Sequence, residues 1–489
     1  MRNTLHRMIL FALIISVVLQ LSIIEAKADN DAPPMPVYFD LPSAVNIIKV
    51  GLCYGSGALG EAQFVSDGGF SFGYYDYARL FHALGSTAVN CISVQGDIGF
   101  ELDDGMYLGP WHMMLNNVYS SYEEAYAASQ NLWGGFPGYI NGQYRVMVGA
   151  YADESATNKE ISRRKLDAIA FTGSSDSILI SETDTPELRF MFDKKSGRNF
   201  AIRPNSANTS FNENVYPGGF GIHRTGQKVS VINYVGLEDY VKGVLPYEMH
   251  GDWPVEALKA QAACARTYAI NNLNSYSDLD FDVRNDTYSQ MYCGITGTTS
   301  GTDSASDFTA GMFVRYRGAM CKVYYMSSDG GATESSANVF GERRAYLSGT
   351  KDPYENDVEF YNKSWTFELW PENVAYRLNR YDYNLGEVTE IETVDSGLGN
   401  VVELKVSDSD GKTAIIKGED CFREMSLNSI RYRVEKQTND KDETLFVFIG
   451  NGWGHNCGMS QWGAYSMAYN HNADCTAIIN FYFSGAYIG

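Results

Sequence analysis

The run ALKAQAACARTYAI, residues 257–270, constrains this chain more than any other segment. Six alanines in fourteen positions favour a helix and leave it thin enough for neighbours to pack closely. Leu258, Ala262, Ala265 and Ala269 recur on one face. Pro254 suits the first turn, where its missing N–H costs nothing. With Trp253 as N-cap, Glu256 falls at the third helical position, beside the positive end of the helix dipole. Cys264 reads as a small buried hydrophobe within that helix. The spacing therefore predicts a close-packed helix on which a larger structure is assembled.

The other 489-residue constraints follow from composition. This length supports two or more domains with a substantial core. Arg2, His6 and Arg7 precede an apolar run from Met8 to Leu21, and Ala26-Lys27-Ala28 has the form of a cleavage site. This reads as an export signal over 1–28. The other reading is a retained membrane anchor, against which Gln20 and Ser22 interrupt the run. A formal charge of -21 argues against nucleic acid and anionic lipid as partners, and leaves an uncharged sugar chain open. The eight cysteines form no CxxC pair, so no zinc knuckle or thioredoxin-like pair is signalled.

Past a polar tether at 29–43, VNIIKVGLCYG (45–55) and GGFSFGYYD (68–76) read as strands. Glycine-punctuated β signals return over 196–235, and the two β regions are expected to share one structural unit. Between them, residues 120–133 and 156–169 read as helices, and 138–153 as a hairpin turning at Asn141-Gly142. After 237, an apolar VKGVL strand is expected to lead into Pro246. Strands follow at 312–318 and 321–328, a β region spans 386–416, and a helix begins at Ser460.

Glu248 stands alone in VLPYEM, where Tyr247, Met249 and Trp253 offer apolar surroundings that raise a carboxyl pKa. Glu238 and Asp239 are near in sequence, yet no spacing marks a second acid. Five glycines between 450 and 463 surround His455, Ser460 and Gln461. They let backbone approach a ligand, but the lysine and hydroxyl of a phosphate loop are missing. His455 is suited to orienting a carboxylate or sugar hydroxyl, Gln461 to binding one, and Ser460 to capping the following helix. Gln261 and Arg266 are polar on the alanine helix, Arg266 as an ion-pair partner of Glu248 or of a core acid. Ser328, Gly330 and Thr333 lie in a glycine-rich loop that either shapes a site or is plain surface.

The order of these segments resembles the SpoIID/LytB family, the stage II sporulation protein D and amidase-enhancer group. It is carried by Leu237 through Tyr268, by Thr309, Gly311, Tyr316, Gly318, Ser328, Gly330, Gly331 and Thr333, by Tyr346-Leu347 and Asp352-Pro353, and by Gly452, Gly454, His455, Gly458, Met459, Ser460, Gln461, Gly463 and Ala464. The helix–hairpin–helix order at 116–170 similarly resembles the small peptidoglycan-binding SPOR domain. The resemblance implies an α+β chain: a signal at 1–28, a β-rich region at 29–115, a SPOR-like insert at 116–170, and a SpoIID-type domain at 171–489 with a β subdomain near 365–435.

It further implies a lytic transglycosylase acting on denuded peptidoglycan strands, with Glu248 as acid/base and Gln261, Arg266, Ser328, Gly330, Thr333, His455, Ser460 and Gln461 binding the glycan. The alternative it carries is a non-catalytic enhancer of an N-acetylmuramoyl-L-alanine amidase. No cofactor is expected. Some relatives bind zinc through a cysteine/histidine cluster, but here Arg284, Tyr288 and Ser289 occupy those places, so no metal is expected there. Asn456-Cys457 replaces a glycine and a small apolar residue of the family pattern.

Overall fold

The computed structural model describes residues 46–101, 107–183, 185, 187–193, 198–361, 363–438 and 443–489. The export signal and the tether lie outside them. The architecture is mixed α/β and multi-domain, with several β-sheets. A seven-stranded sheet runs in the order Val283–Arg284, Ile47–Cys53, Lys228–Gly236, Gly219–Thr225, Phe200–Pro204, Phe70–Tyr75, Phe81–Thr87. The two glycine-rich β regions, far apart in sequence, thus meet in one sheet. A ten-stranded sheet packs against it, and fully buried phenylalanines join the two. Phe72 of the first stacks on Phe190 of the second at 4.2 Å, and Phe220 meets Phe64 at 4.9 Å. Each such ring contributes about 1.5–3 kcal/mol of burial.

Residues 116–170 contain helices α1 (Tyr122–Ser129) and α2 (Glu154–Arg164) around a hairpin, Gly135–Ile140 with Gln143–Tyr151. Asn141 and Gly142 turn it with φ of +50° and +86°, as a two-residue hairpin loop requires. Ser121 and Asp153 cap the helices by accepting from Glu124 N and Ala156 N. The hairpin belongs to the ten-stranded sheet and also lines its own small core of Met113, Ala125, Val146 and Val148.

The helical region is built on α3 (Leu237–Glu248) and α4 (Val255–Asn271), joined by α5 (Ser300–Phe308) and, after the short α6 (Ser336–Phe340), α7 (Pro371–Asn379) and α8 (Asp420–Arg423), by α9 (Gln461–His471) and α10 (Cys475–Tyr482). Helix α4 is buried on nearly every side, from Ala257 to Ile270. Its N-cap is Pro254, one residue later than the sequence suggests. Glu256 still serves a helix start, because its carboxylate accepts from Cys475 N (2.9 Å), the first residue of α10.

The VKGVL segment is helical, contrary to the expected strand. Leu237, Tyr240, Val241, Val244 and Leu245 recur at helical spacing and are all buried, so packing overrides the β preference of valine. Three-stranded sheets follow, one from Ser364–Leu369, Thr444–Asn451 and Tyr432–Thr438, another from Val388–Asp395, Val401–Asp408 and Thr413–Lys417. Among the described residues, no helix is long and apolar enough to cross a membrane.

Candidate functional site at the end of helix α3

Glu248 is the last residue of α3 and is half-buried. Three donors converge on its carboxylate. Met291 N (3.3 Å) and Tyr325 Oη (3.2 Å) donate to Oε1, and Gln461 Nε2 (3.1 Å) donates to Oε2. Behind Tyr325 the bonding continues inward: Gln290 Nε2 donates to Tyr325 Oη at 2.8 Å, and Tyr240 Oη donates to Gln290 Oε1 at 3.0 Å. Burial raises the Glu248 pKa, and the three hydrogen bonds oppose that rise without cancelling it.

A carboxylate offers about four acceptor positions, so three donors leave one open, on Oε2. Helix α3 supplies the acid. A parallel strand pair, Tyr325–Met326 with Met459–Ser460, brings Tyr325 beside the start of α9, where Gln461 is the first residue.

Gln461 and Glu248 are therefore together, across 213 residues of chain. The other expected residues take different places. Arg266 does not reach Glu248. It is fully buried and forks onto Glu238, with Nε at 2.9 Å from Oε1 and Nη2 at 2.6 Å from Oε2, while Nη1 donates to the Met312 carbonyl (3.2 Å). Glu238 lies in the first turn of α3, so Arg266 fixes the helix that carries Glu248. Gln261 is likewise fully buried in α4 and faces no solvent; neither amide atom has a hydrogen-bond partner among the described residues.

His455 contacts the backbone instead of Glu248. Its Nδ1 accepts from Cys457 N (3.1 Å), and it bonds the backbone of Tyr325. Burial pushes its pKa down to about 4, so the ring is neutral near pH 7. Ser460 caps α9 by accepting from Gly463 N (3.1 Å). Cys457 is buried and burial pushes its thiol pKa up, which disfavours the thiolate.

Ser328, Gly330 and Ser460 surround an acid that the sequence reading missed. Glu355 accepts from Ser328 Oγ (2.7 Å), Asp329 N (2.8 Å), Gly330 N (3.0 Å) and Ser460 Oγ. Thr333 pairs with Thr350 through both backbone and hydroxyl. Asp329, Asp352 and Glu355 bring carboxylate oxygens within 4.8 Å of one another, all buried. The four donors already occupy both Glu355 oxygens, so this arrangement suits a shared proton better than an ion.

Asn456 adopts φ +58°, the left-handed region in which glycine is favoured, and its amide donates to the Asp329 carbonyl (2.7 Å). Arg284, Tyr288 and Ser289 interact with their own loop: Arg284 lies 4.4 Å over Tyr288, and Ser289 Oγ accepts from Arg284 N. Gln290, Tyr325 and Glu355 had weak signals only, as the glutamine of a Q-x-Y triplet, one of two adjacent tyrosines, and an acid three residues past Asp352.

Residues 225–316 match the family model of SpoIID, stage II sporulation protein. An uncharacterized protein of Brachyspira hyodysenteriae is 36% identical over 260 residues, covering 52% of this chain and 67% of that protein. The amidase enhancer of Bacillus subtilis is 28% identical over 294 residues, which span 50% of this chain but only 39% of the enhancer. Stage II sporulation protein D of the same organism is 28% identical over 289 residues, 56% of this chain and 79% of that protein.

The chain belongs to the SpoIID/LytB family, amidase-enhancer relatives included. The expectation of an enzyme is corrected by the same comparison. The named relatives are an amidase enhancer and stage II sporulation proteins D, and none is named as a glycosidase. Among the described residues, the three hydrogen-bond partners of the Glu248 carboxylate are all donors.

Proposed function

We propose that this protein is an exported, non-catalytic, peptidoglycan-binding enhancer of an N-acetylmuramoyl-L-alanine amidase. The observation that carries this reading is the Glu248 carboxylate, fixed by three donors with one acceptor position left. Such a group receives one hydroxyl or amide N–H of a sugar. Gln461 and Tyr325 orient it. The Bacillus subtilis relative named as an amidase enhancer supports the partner class. Denuded glycan strands are the ligand in this reading, and the domain order is that expected from the sequence: signal 1–28, β-rich region 29–115, insert 116–170, SpoIID-type domain 171–489 with its β subdomain near 365–435.

The test incubates residues 29–489 with glycan strands, and separately with intact peptidoglycan and an amidase. The protein alone leaves strand length unchanged, and it raises amidase turnover. Glu248→Ala removes a charge-assisted acceptor, worth about 1.5–3 kcal/mol, so glycan affinity falls roughly ten- to a hundredfold. Stimulation survives at saturating protein. Shortening of strands by the wild type alone, lost in Glu248→Ala, would overturn the reading.

The 116–170 insert is proposed to bind glycan as well, in the manner of a SPOR-like domain. Trp133 supports this: it is 85% exposed, with the Arg164 guanidinium 5.1 Å from its ring. Because the insert shares the ten-stranded sheet, the whole chain is the right test object. Trp133→Ala is expected to weaken strand binding by about fivefold while leaving the melting temperature within about 1 °C, as surface changes usually do. Unchanged strand affinity in a pull-down series would remove the insert from the binding surface.

A further inference from the structure

The seven-stranded sheet carries a second concavity that shares no residue with the Glu248 network. It is a cavity of about 570 Å³, bounded by the strands around Lys49, Tyr75, Ala201 and Tyr234 and by the turn that ends at Asp280. Its floor is aromatic. The Tyr75 and Tyr234 rings stack at 3.9 Å with 4° between their planes. The sequence makes room for this pair. A Cβ at Gly219 would lie 2.2 Å from Tyr75 Oη, and one at Gly221 would lie 2.8 Å from the Tyr234 ring. Burial raises both phenol pKa values, so the platform is uncharged at any ordinary pH. Tyr77, which also lines the cavity, is 92% exposed.

The cations of the wall are not equivalent. Lys49 Nζ is tied to Asp280 at 2.5 Å, and Arg79 forks onto Asp282. Arg198, by contrast, lies over Tyr74 at 4.7 Å and has no ion-pair partner among the described residues. A guanidinium with no ion-pair partner among the described residues, beside an aromatic floor, stands out on a chain of formal charge -21. An aromatic ring with an open face, here the exposed Tyr77 that lines the cavity with the Tyr75–Tyr234 pair, receives the C–H face of a pyranose, while a guanidinium recognises a carboxylate through paired N–H donors.

We propose that this cavity binds a carboxylate-bearing amino sugar, with Arg198 on the carboxylate and the tyrosines beneath the ring. The proposal rests on the glycan reading above. In strands freed of stem peptides, every N-acetylmuramic acid carries a lactyl carboxylate, and every N-acetylglucosamine lacks one. The cavity therefore reads which of the two sugars faces it.

Ligand-observed NMR titration of residues 29–489 with each monosaccharide tests this. N-acetylmuramic acid is expected to bind about tenfold more tightly than N-acetylglucosamine. Arg198→Met abolishes that difference; Tyr77→Ala, which leaves the guanidinium in place, weakens both sugars about equally. Amidase stimulation by the same protein is measured alongside, so failure of this cavity and failure of the enhancer reading are separable. Equal affinity for the two sugars in the wild type, or a preference that survives Arg198→Met in protein of wild-type melting temperature, would overturn the proposal.

Discussion

Arg266→Ala is expected to lower stability by about 3–5 kcal/mol, the range for breaking a buried pair and emptying a large core site. The side chain is fully enclosed and satisfies the Ala262, Ser306 and Met312 carbonyls as well as Glu238. Alanine removes the guanidinium N–H donors from those acceptors, which keep only weaker partners such as Thr309 Oγ1 on Ser306 and Gly311 N on Glu238, and opens a void between α3, α4 and α5. Arg266→Lys recovers little, since one ammonium cannot reproduce the fork. Glu238→Gln costs less, about 1–2 kcal/mol, because the Glu238 side chain is 39% exposed and water replaces part of the loss. Urea unfolding followed by far-UV circular dichroism ranks the three variants. A loss under about 1 kcal/mol for Arg266→Ala would show that the fork carries no structural weight. Glycan affinity per folded molecule should not change, which separates this structural role from the ligand contact expected from sequence.

Arg266 also shows where sequence reasoning stopped. Its position on an alanine-rich helix was legible, and so was the helix. The partner was not, because Glu238 and Glu248 lie at opposite ends of one helix and only its packing on α4 decides which acid meets Arg266. That packing depended on reading VKGVL as helix, where three-residue valine spacing and a strand look alike. The hairpin at Asn141-Gly142 was readable because a turn with two positive φ values admits few residues. Glu248 and Gln461 were found by family pattern, and their contact is a product of the parallel pairing of Tyr325–Met326 with Met459–Ser460, two-residue strands too short to carry a pattern. Gln290 and Glu355 act through tertiary neighbours alone, and nothing local distinguishes them from surface residues. The glycines at 219 and 221 were visible as β punctuation, but not as the space that seats Tyr75 and Tyr234.

Asp329→Asn is expected to stabilise the protein at alkaline pH and to flatten its pH dependence. Three carboxyls are buried together, and among the described residues no Lys or Arg forms an ion pair with them. Burial comes first in raising all three pKa values, and the neighbouring acids add to the rise at Asp329. Hydrogen bonds decide where the proton rests. Glu355 accepts four, and Asp352 accepts from Tyr354 N (2.8 Å) and Tyr482 Oη (2.6 Å), so both favour the ionised form. Asp329 Oδ2 is buried and accepts none, so the proton is expected on Asp329.

A carboxyl whose folded pKa is raised binds more protons in the native state than in the unfolded chain. Its contribution is full below about pH 4, the unfolded value, and is lost as pH rises through the folded pKa. Within that window stability falls by about 1.4 kcal/mol per pH unit for each extra proton. Asparagine keeps the donor toward Asp352 and cannot ionise. The variant's advantage should therefore grow from pH 5 to pH 9, measured as urea midpoints at each pH. Parallel curves for wild type and Asp329→Asn across that range would show that Asp329 does not carry the proton. The same cluster holds Ser460 through Glu355, and Ser460 caps the helix that begins with Gln461. Ionisation of Asp329 should thus reach the Glu248 site by loosening the start of α9, and wild-type glycan affinity should decline at alkaline pH while that of Asp329→Asn holds.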